Sequence, residues 1–245
     1  VERPLQNPFI LGLTAHNLSV EIHQHSAYQI VLSNDSTFNS TIGVQSYKGI
    51  SGFIIKPHVI HHCMAENGTL NILNIEPYST VGLKLSEQFI KGDEVIVFYH
   101  PEQVNAFFET DKDTSDIFTL IDTLLATAPH LQYDDRVVKI VEYIKDHSFR
   151  QDITPQTFSD LVYLSPSRLA ALFKAQTGSS LSKYLLWTRL RQAIYQILSD
   201  KNRSLTEIAY DTGFYDLPQL NKYMNEMFGM PPRALKQNSD LIQVY

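Results

Sequence analysis

Two groups of residues in this chain have types and spacings suited to chemistry. His23 and His25 lie two positions apart, and His61 and His62 are adjacent further on. Along a β-strand, residues two apart point to one face, so the first pair presents both rings together and His61 or His62 can meet them from a facing strand. Imidazoles bind zinc, iron or nickel, line polar pockets, or titrate near neutrality as pH sensors. His58 and His100 add candidates without fixing a geometry. The second group is Gln219, Asn221 and Lys222. The two amides match the donor and acceptor edge of adenine, and the ammonium suits guanine or phosphate.

The elements that must position the second group are legible as a helix-turn-helix. Ser204-Leu-Thr-Glu-Ile-Ala-Tyr-Asp-Thr212 reads as a capped amphipathic helix, Gly213 and Phe214 as the turn, and Asp216 to Phe228 as the helix that would enter a DNA groove. Leu205, Ile208 and Ala209 form one apolar stripe, and Leu220, Tyr223 and Met224 form its counterpart. A first copy lies about fifty residues upstream. Thr154 to Val162 leads, Tyr163-Leu164 turns, and Ser165-Pro-Ser-Arg-Leu-Ala-Ala-Leu-Phe-Lys-Ala-Gln-Thr177 follows, closed by Gly178. Phe158, Ser159, Leu161, Val162 and Leu164 supply its core with Leu169, Leu172 and Phe173. Tyr163 occupies the place of the turn glycine. A left-handed non-glycine residue costs about 1 kcal/mol or more, so a modified turn is expected there.

From about Arg136 to Gln237 the chain resembles the DNA-binding domain of the AraC/XylS transcription regulators. The resemblance is carried by Ser165-Pro-Ser-x-Leu-x-x-Leu-Phe-Lys-x-x-Thr-Gly178, then Tyr184-Leu185, Arg189 and Ala193, then Leu205-x-x-Ile208-Ala209-x-x-x-Gly213-Phe214, and Phe228-Gly229-Met230-Pro231-Pro232. It implies two subdomains joined by a long helix, here about Leu181 to Leu198, with recognition helices in successive major grooves. The family's base-contacting positions fall on Ser167, Ala170 and Ala171 in the first copy, and on Leu217, Pro218, Gln219, Asn221 and Lys222 in the second. An alanine offers only a methyl to a thymine methyl, so specificity should lean on the second copy. Arg168 and Lys174 suit phosphate contacts that set register. The resemblance makes Arg189 a brace between subdomains. It also implies double-stranded promoter DNA, a small-molecule effector and a second copy of the chain as partners, and leaves room for RNA polymerase.

Charge agrees with this division. From Arg136 onward there are 14 Lys and Arg against 10 Asp and Glu, a net of +4, while residues 1–135 hold 6 against 16, a net of −10. Such asymmetry suits an acidic sensor joined to a DNA module, although +4 predicts weak, strongly salt-dependent binding by one copy. At 245 residues, 43% hydrophobic and 19% charged, the chain can build two globular domains. No apolar run approaches membrane-spanning length. Val1-Glu-Arg-Pro-Leu-Gln-Asn7 lacks the charged-then-apolar order of a secretion signal and begins without Met, as after trimming, so a cytoplasmic protein is expected. One cysteine, Cys63, leaves no internal disulfide and reads as a small hydrophobe. Tyr184, Trp187 and Tyr195 read as packing residues of the connecting helix rather than base-stacking ones.

The first hundred residues read as β structure. Tyr28–Leu32, Thr41–Gln45, Gly52–Lys56, Leu70–Ile75 and Gly82–Leu85 are short β-branched or alternating runs cut by Asn-Asp, Lys-Gly, Pro-His and Asn-Gly turn pairs. With His23-x-His25, Gly52-x-x-x-x-Pro57 and His61-His62, the stretch from about Phe9 to Glu76 is similar to the small cupin-like sensor domain of many AraC-type regulators. Cupin enzymes hold a divalent metal with such histidines and a glutamate, but four residues after His25 this chain has Gln29, a much poorer ligand. His23, His25, Gln29, His61 and His62 are therefore assigned to a ligand pocket, with no resident metal, cofactor or catalytic residue.

Behind the Thr114-Ser115-Asp116 start, Ile117, Leu120, Ile121, Leu124 and Leu125 recur at helical spacing, following an earlier group of Val104, Phe107 and Phe108. That stripe either packs on the barrel or pairs with a second subunit. The expected organisation is an α+β chain of two domains: a cupin-like barrel or sandwich over 1–100, a helical dimerisation or packing segment over 101–128, a linker over 129–135, and an all-α tandem helix-turn-helix domain over 136–245. The leading reading is a transcription regulator whose DNA binding is controlled by a small molecule in the barrel, and not an enzyme. The alternatives are a metal-dependent cupin enzyme with an appended DNA module, or a scaffold whose weak DNA module recruits a protein partner.

Overall fold

Short alternating apolar runs build two facing antiparallel sheets in the N-terminal half of the chain. The computed structural model describes residues 9–17, 19–64, 68–89, 92–111, 114, 116–126 and 133–245. Its strands are β1 (Ile10–His16), β2 (Ser19–His23), β3 (Tyr28–Ser33), β4 (Phe38–Ile42), β5 (Gln45–Ile50), β6 (Gly52–Ile55), β7 (His61–Met64), β8 (Thr69–Ile75), β9 (Val95–Phe98) and, from the far end of the chain, β10 (Ile242–Val244). One sheet has the order β10-β1-β8-β3-β6-β9 and the other β2-β7-β4-β5. Val31, Phe53 and Ile55 from the first face Phe38, Ile42 and Cys63 from the second in one buried core. The outer face of the six-stranded sheet is covered by α1 (Thr80–Gln88), α2 (Pro101–Phe107) and α3 (Ile117–Ala126).

Two expected strands differ. Gly82–Leu85 lies inside α1, because Ser79 caps that helix by accepting from the Gly82 N–H at 2.9 Å, and Val81 and Leu85 bury one helical face. A short apolar run does not by itself separate strand from helix. Thr41–Gln45 is not one strand but the end of β4, a turn at Gly43-Val44 and the start of β5, so Val44 is fully exposed. In α3, Ile117, Leu120, Ile121 and Leu124 are buried against the sandwich, leaving Leu125 39% exposed. Residues 129–132 of the expected linker, and Val1–Asn7, lie outside the described residues. The rest of that linker is docked, with Tyr133 against Tyr78 at 4.0 Å between ring centroids and Asp134 capping the next helix.

The C-terminal half holds α4 (Asp135–His147), α5 (Pro155–Val162), α6 (Pro166–Thr177), α7 (Leu181–Ser199), α8 (Leu205–Asp211), α9 (Leu217–Phe228) and α10 (Pro232–Gln237). Two helical cores sit at the ends of α7. Ile140, Ile144, Phe158, Leu169, Phe173 and Tyr184 pack at one end, and Ile194, Ile197, Ile208, Phe214, Leu220 and Met224 at the other. The second core continues into the sandwich through Leu11, Leu13, Ala15 and Ala27. This half is not purely helical, since β10 pairs with β1 in the register Leu13↔Val244 and Ala15↔Ile242. Across the same seam Arg191 of α7 meets the fully buried Glu76 at 3.1 Å. Burial pushes the Glu76 carboxyl up to about 7, against the pull of Arg191.

Candidate nucleic-acid interface and histidine centre

The two helix-turn-helix units are capped as their sequences demand. Ser204 and Glu207 form a reciprocal box at the start of α8, and Thr154 and Thr157 do so at α5. Asp216 caps α9 by accepting from the Gln219 N–H at 2.8 Å. Gly213 turns the second unit at φ +87°, and a Cβ there would lie 2.5 Å from the Ser148 carbonyl oxygen and 2.7 Å from Arg189 Nε. Only glycine meets both demands. The modified turn expected in the first unit is not found. Tyr163 takes the left-handed conformation itself at φ 54°, ψ 39°, with its side chain 92% exposed, so that burial of Phe158, Val162, Leu169 and Phe173 outweighs the local strain.

Arg189 ties the two units together. Its Nε donates to the Ser148 carbonyl at 2.7 Å and a terminal nitrogen donates to the Arg150 carbonyl at 2.5 Å, while Gln151 Nε2 donates to the Phe214 carbonyl at 2.7 Å. Both recognition helices leave a polar face to solvent. Ser167, Arg168, Ala170, Ala171 and Lys174 are exposed on α6, and Pro218, Asn221 and Lys222 on α9. Leu217 and Gln219 are half-buried, and Gln219 Oε1 accepts from the Tyr215 N–H at 2.8 Å, which leaves its amide NH2 group as the donor available to a base. Tyr184 and Trp187 are buried as packing residues, but Tyr195 is 46% exposed because it stands at the edge of a cleft beside α7.

The histidines divide differently. His23 and His61 are cross-strand neighbours of β2 and β7, and His25 follows β2 directly. One ring nitrogen from each of His23, His25 and His61 lies within 4.8 Å of the others, and all three residues are buried. Each Nδ1 is engaged by a backbone carbonyl two residues away: Glu21 for His23 at 2.8 Å, Ala27 for His25 at 3.0 Å, and Val59 for His61 at 2.9 Å. That bond places the proton on Nδ1 and leaves a lone pair on Nε2. His25 Nε2 and His61 Nε2 are buried with no hydrogen-bond partner among the described residues. Burial lowers the His23 pKa to about 4 and the His61 pKa to about 3, and holds His25 well below its ordinary value, so all three are neutral at pH 7.

Neutral imidazoles with Nδ1 tied to carbonyls, and with one ring nitrogen of each within 4.8 Å of the others, are the donor set that a transition metal requires. The three histidines fit such an ion, with the rings closing slightly to share it. Gln29 lines the adjoining cavity, and its Nε2 donates one hydrogen bond to Asn74 Oδ1 at 3.1 Å. His62 is half-buried and, by strand alternation, points to the other face of β7. The cavity beside the rings measures about 30 Å³ and is closed by Phe228 of α9 and Ile242 of β10. It admits a water molecule or an ion and is far below the 300–1,000 Å³ typical of organic ligand sites. The space beside His23, Gln29 and His61 is thus of water or ion size, lined by side chains of both sheets and of the C-terminal half. The contacts that Trp187, Phe228, Gly229 and Glu76 make between the two halves have no signal in the sequence, since each joins distant segments.

Residues 158–238 match the family model described as a helix-turn-helix domain. Among curated relatives, an uncharacterized HTH-type transcriptional regulator, YobQ of Bacillus subtilis (strain 168), is 30% identical over 96 residues, covering 39% of this chain and 39% of its own length. The HTH-type transcriptional activator RhaS of Enterobacter sp. (strain 638) is 30% identical over 107 residues, covering 44% of this chain and 38% of its own length. The matched stretch is thus about two fifths of the relatives' length. Over the whole molecule the fold is similar to that of an apo variant of ToxT from Vibrio cholerae, with a TM-score of 0.57, 12% identity, and 98% of this chain and 99% of that one covered. Wild-type ToxT with a bound unsaturated fatty acid superposes with a TM-score of 0.54 at 10% identity, covering 95% of each chain. Residues 158–238 therefore form a helix-turn-helix domain, set in a two-domain α+β fold similar to that of ToxT.

Proposed function

We propose that the chain is a transcription regulator that reads promoter DNA with α6 and α9 and is controlled through the seam between its two halves. The observation that carries this reading is the pair of braced helix-turn-helix units whose recognition helices both turn polar faces to solvent. Asn221, Lys222 and the Gln219 amide supply base contacts from α9, aided by Leu217 and Pro218. Ser167, Ala170 and Ala171 supply shape and methyl contact from α6, while Arg168 and Lys174 hold phosphates. The relatives are transcriptional regulators, which favours this reading over an enzyme.

ToxT has been solved with an unsaturated fatty acid bound. In this chain a cleft of about 580 Å³ between the start of β1 and helices α4 and α7, lined by Phe9, Leu11, Tyr184 and Tyr195 with Lys145 and Arg191 among them, has the size and chemistry for a small acid with an apolar body. A ligand there controls DNA binding only if it prefers one arrangement of the seam. With a net charge of +4 on the DNA half, two copies on adjacent sites would bind more firmly than one.

The test is binding to a duplex from upstream of the chain's own gene against shuffled DNA, across a salt series. Preference for the native duplex, falling as salt rises, is expected. Equal affinity for both duplexes at every salt concentration would remove the claim of sequence reading.

A further inference from the structure

The histidine centre sits where the sandwich meets the second reading unit. The His25 ring lies over the indole of Trp187, 5.4 Å between centroids at 30°. Trp187 is wholly buried in α7, in the core that α8 and α9 share. His23 reaches α9 in two hydrogen bonds: its Nδ1–H donates to the Glu21 carbonyl at 2.8 Å, and the Glu21 N–H donates to the Gly229 carbonyl at 2.8 Å. The Gln24 N–H donates to the Glu226 carbonyl at 3.2 Å beside it. Gly229, the C-cap of α9 at φ +68°, is so close that a Cβ would lie 2.5 Å from His23 Nδ1 and 2.5 Å from the Glu21 carbonyl oxygen. On the open side a groove of about 400 Å³, bounded by His58, Lys183, Glu226 and Met227 from both halves, leads to His23 and His25.

We infer that this centre is a metal-sensing input: a divalent transition-metal ion held by His23, His25 and His61 is felt by the second reading unit through Trp187 and Gly229. The inference rests on the DNA-reading function proposed above. Three neutral nitrogen donors without a carboxylate suit zinc, nickel or copper and not calcium or magnesium, which require oxygen ligands. Drawing the three rings onto one ion moves His25 against Trp187 and His23 against the α9 cap. Both neighbours belong to a close-packed core that transmits small displacements rather than absorbing them. The ion therefore favours one seating of α9 on β2, and by linkage DNA in turn changes the affinity for the ion.

The full chain, stripped with a chelator and free of any affinity tag, is titrated with cobalt and then zinc. Three readouts follow: emission of Trp187, which is the only tryptophan in the chain; amide exchange at Glu21 and Gln24, whose N–H groups bridge to α9; and affinity for the upstream duplex. One ion per chain, a change in Trp187 emission complete at that ratio, at least fivefold slower exchange at both amides and at least a fivefold change in DNA affinity are expected. His61→Gln loses ion binding, and His62→Ala, on the other face of β7, keeps it. His25→Asn serves as a second loss variant if circular dichroism shows His61→Gln misfolded. Absence of one-to-one binding overturns the site. Binding with unchanged exchange at Glu21 and Gln24 overturns the coupling. Slowed exchange in a chain that binds no DNA with or without metal supports the coupling and instead removes the DNA-reading function beneath it.

Discussion

The two helix-turn-helix units share a plan and differ in what surrounds them. The first, α5 and α6, turns through a strained Tyr163, presents serine and alanine where base contacts are wanted, and makes its core with α4 and one end of α7. The second, α8 and α9, turns through Gly213, presents Asn221 and Lys222, and is fastened to the sandwich by Phe228, Gly229 and β10. The unit with the better chemistry for reading bases is thus the one held by the sandwich. Under the function proposed above, control and specificity converge on one head, while the other holds the backbone.

The largest way to break that contrast is to cut the seam. Glu76→Ala removes the carboxylate partner of a mostly buried Arg191 and is expected to cost about 3–5 kcal/mol, read as a fall in midpoint temperature at pH 8. The same residue predicts a pH dependence. Because burial raises its folded pKa to about 7, folding takes up a proton above its ordinary value of 4.5; its stabilising share is complete below that value and is lost as pH rises through 7. Glu76→Gln should flatten the decline in stability between pH 4.5 and 7, and an unchanged slope would assign the proton uptake elsewhere.

Gly213→Ala combines a left-handed φ with a Cβ 2.5 Å from the Ser148 carbonyl oxygen, and should cost roughly 2 kcal/mol or more. Tyr163→Gly, at the equivalent turn, relieves about 1–2 kcal/mol of left-handed strain and loses about 0.5–1 to chain entropy. It should leave stability unchanged or raise it by up to about 1.5 kcal/mol. Urea denaturation of both variants sharpens the comparison, and loss of more than 1 kcal/mol in Tyr163→Gly would show that the tyrosine ring is needed.

Between these in size are the DNA effects. Asn221→Ala or Lys222→Ala should each cost roughly 1–3 kcal/mol on the cognate duplex and relax discrimination. Arg168→Ala should weaken cognate and shuffled DNA alike and lower the salt slope by about 1. Equal behaviour of the two sets in fluorescence anisotropy would erase the division of labour between heads.

The helices of the DNA half were legible nearly residue by residue, because caps such as Ser204 and Asp216 and the 3.6-residue stripes lie within one turn of the positions they explain. The sandwich was less so. Gly82–Leu85 reads as a strand but is helical, and Gly43-Val44 reads as strand but turns, since the deciding bonds come from Ser79 and from the pairing of β4 with β5. Of the five residues assigned to a ligand pocket, His23, His25 and His61 come together, Gln29 is bonded to Asn74 beside them, and His62 faces away. The two-residue period of a strand joins His23 to His25 but cannot choose between His61 and His62 until register is known.

Local periodicity, capping and turn chemistry, all short-range, were enough to establish a β-rich half, a tandem helix-turn-helix half and the polar faces of its recognition helices. Tertiary structure decided what those halves do to each other: that β10 returns to β1, that Phe228 plugs the sandwich, that Glu76 finds Arg191, and that His25 lies on Trp187. These contacts join segments more than one hundred residues apart, where no spacing rule operates, and they exist because each half buries apolar surface that it cannot cover alone.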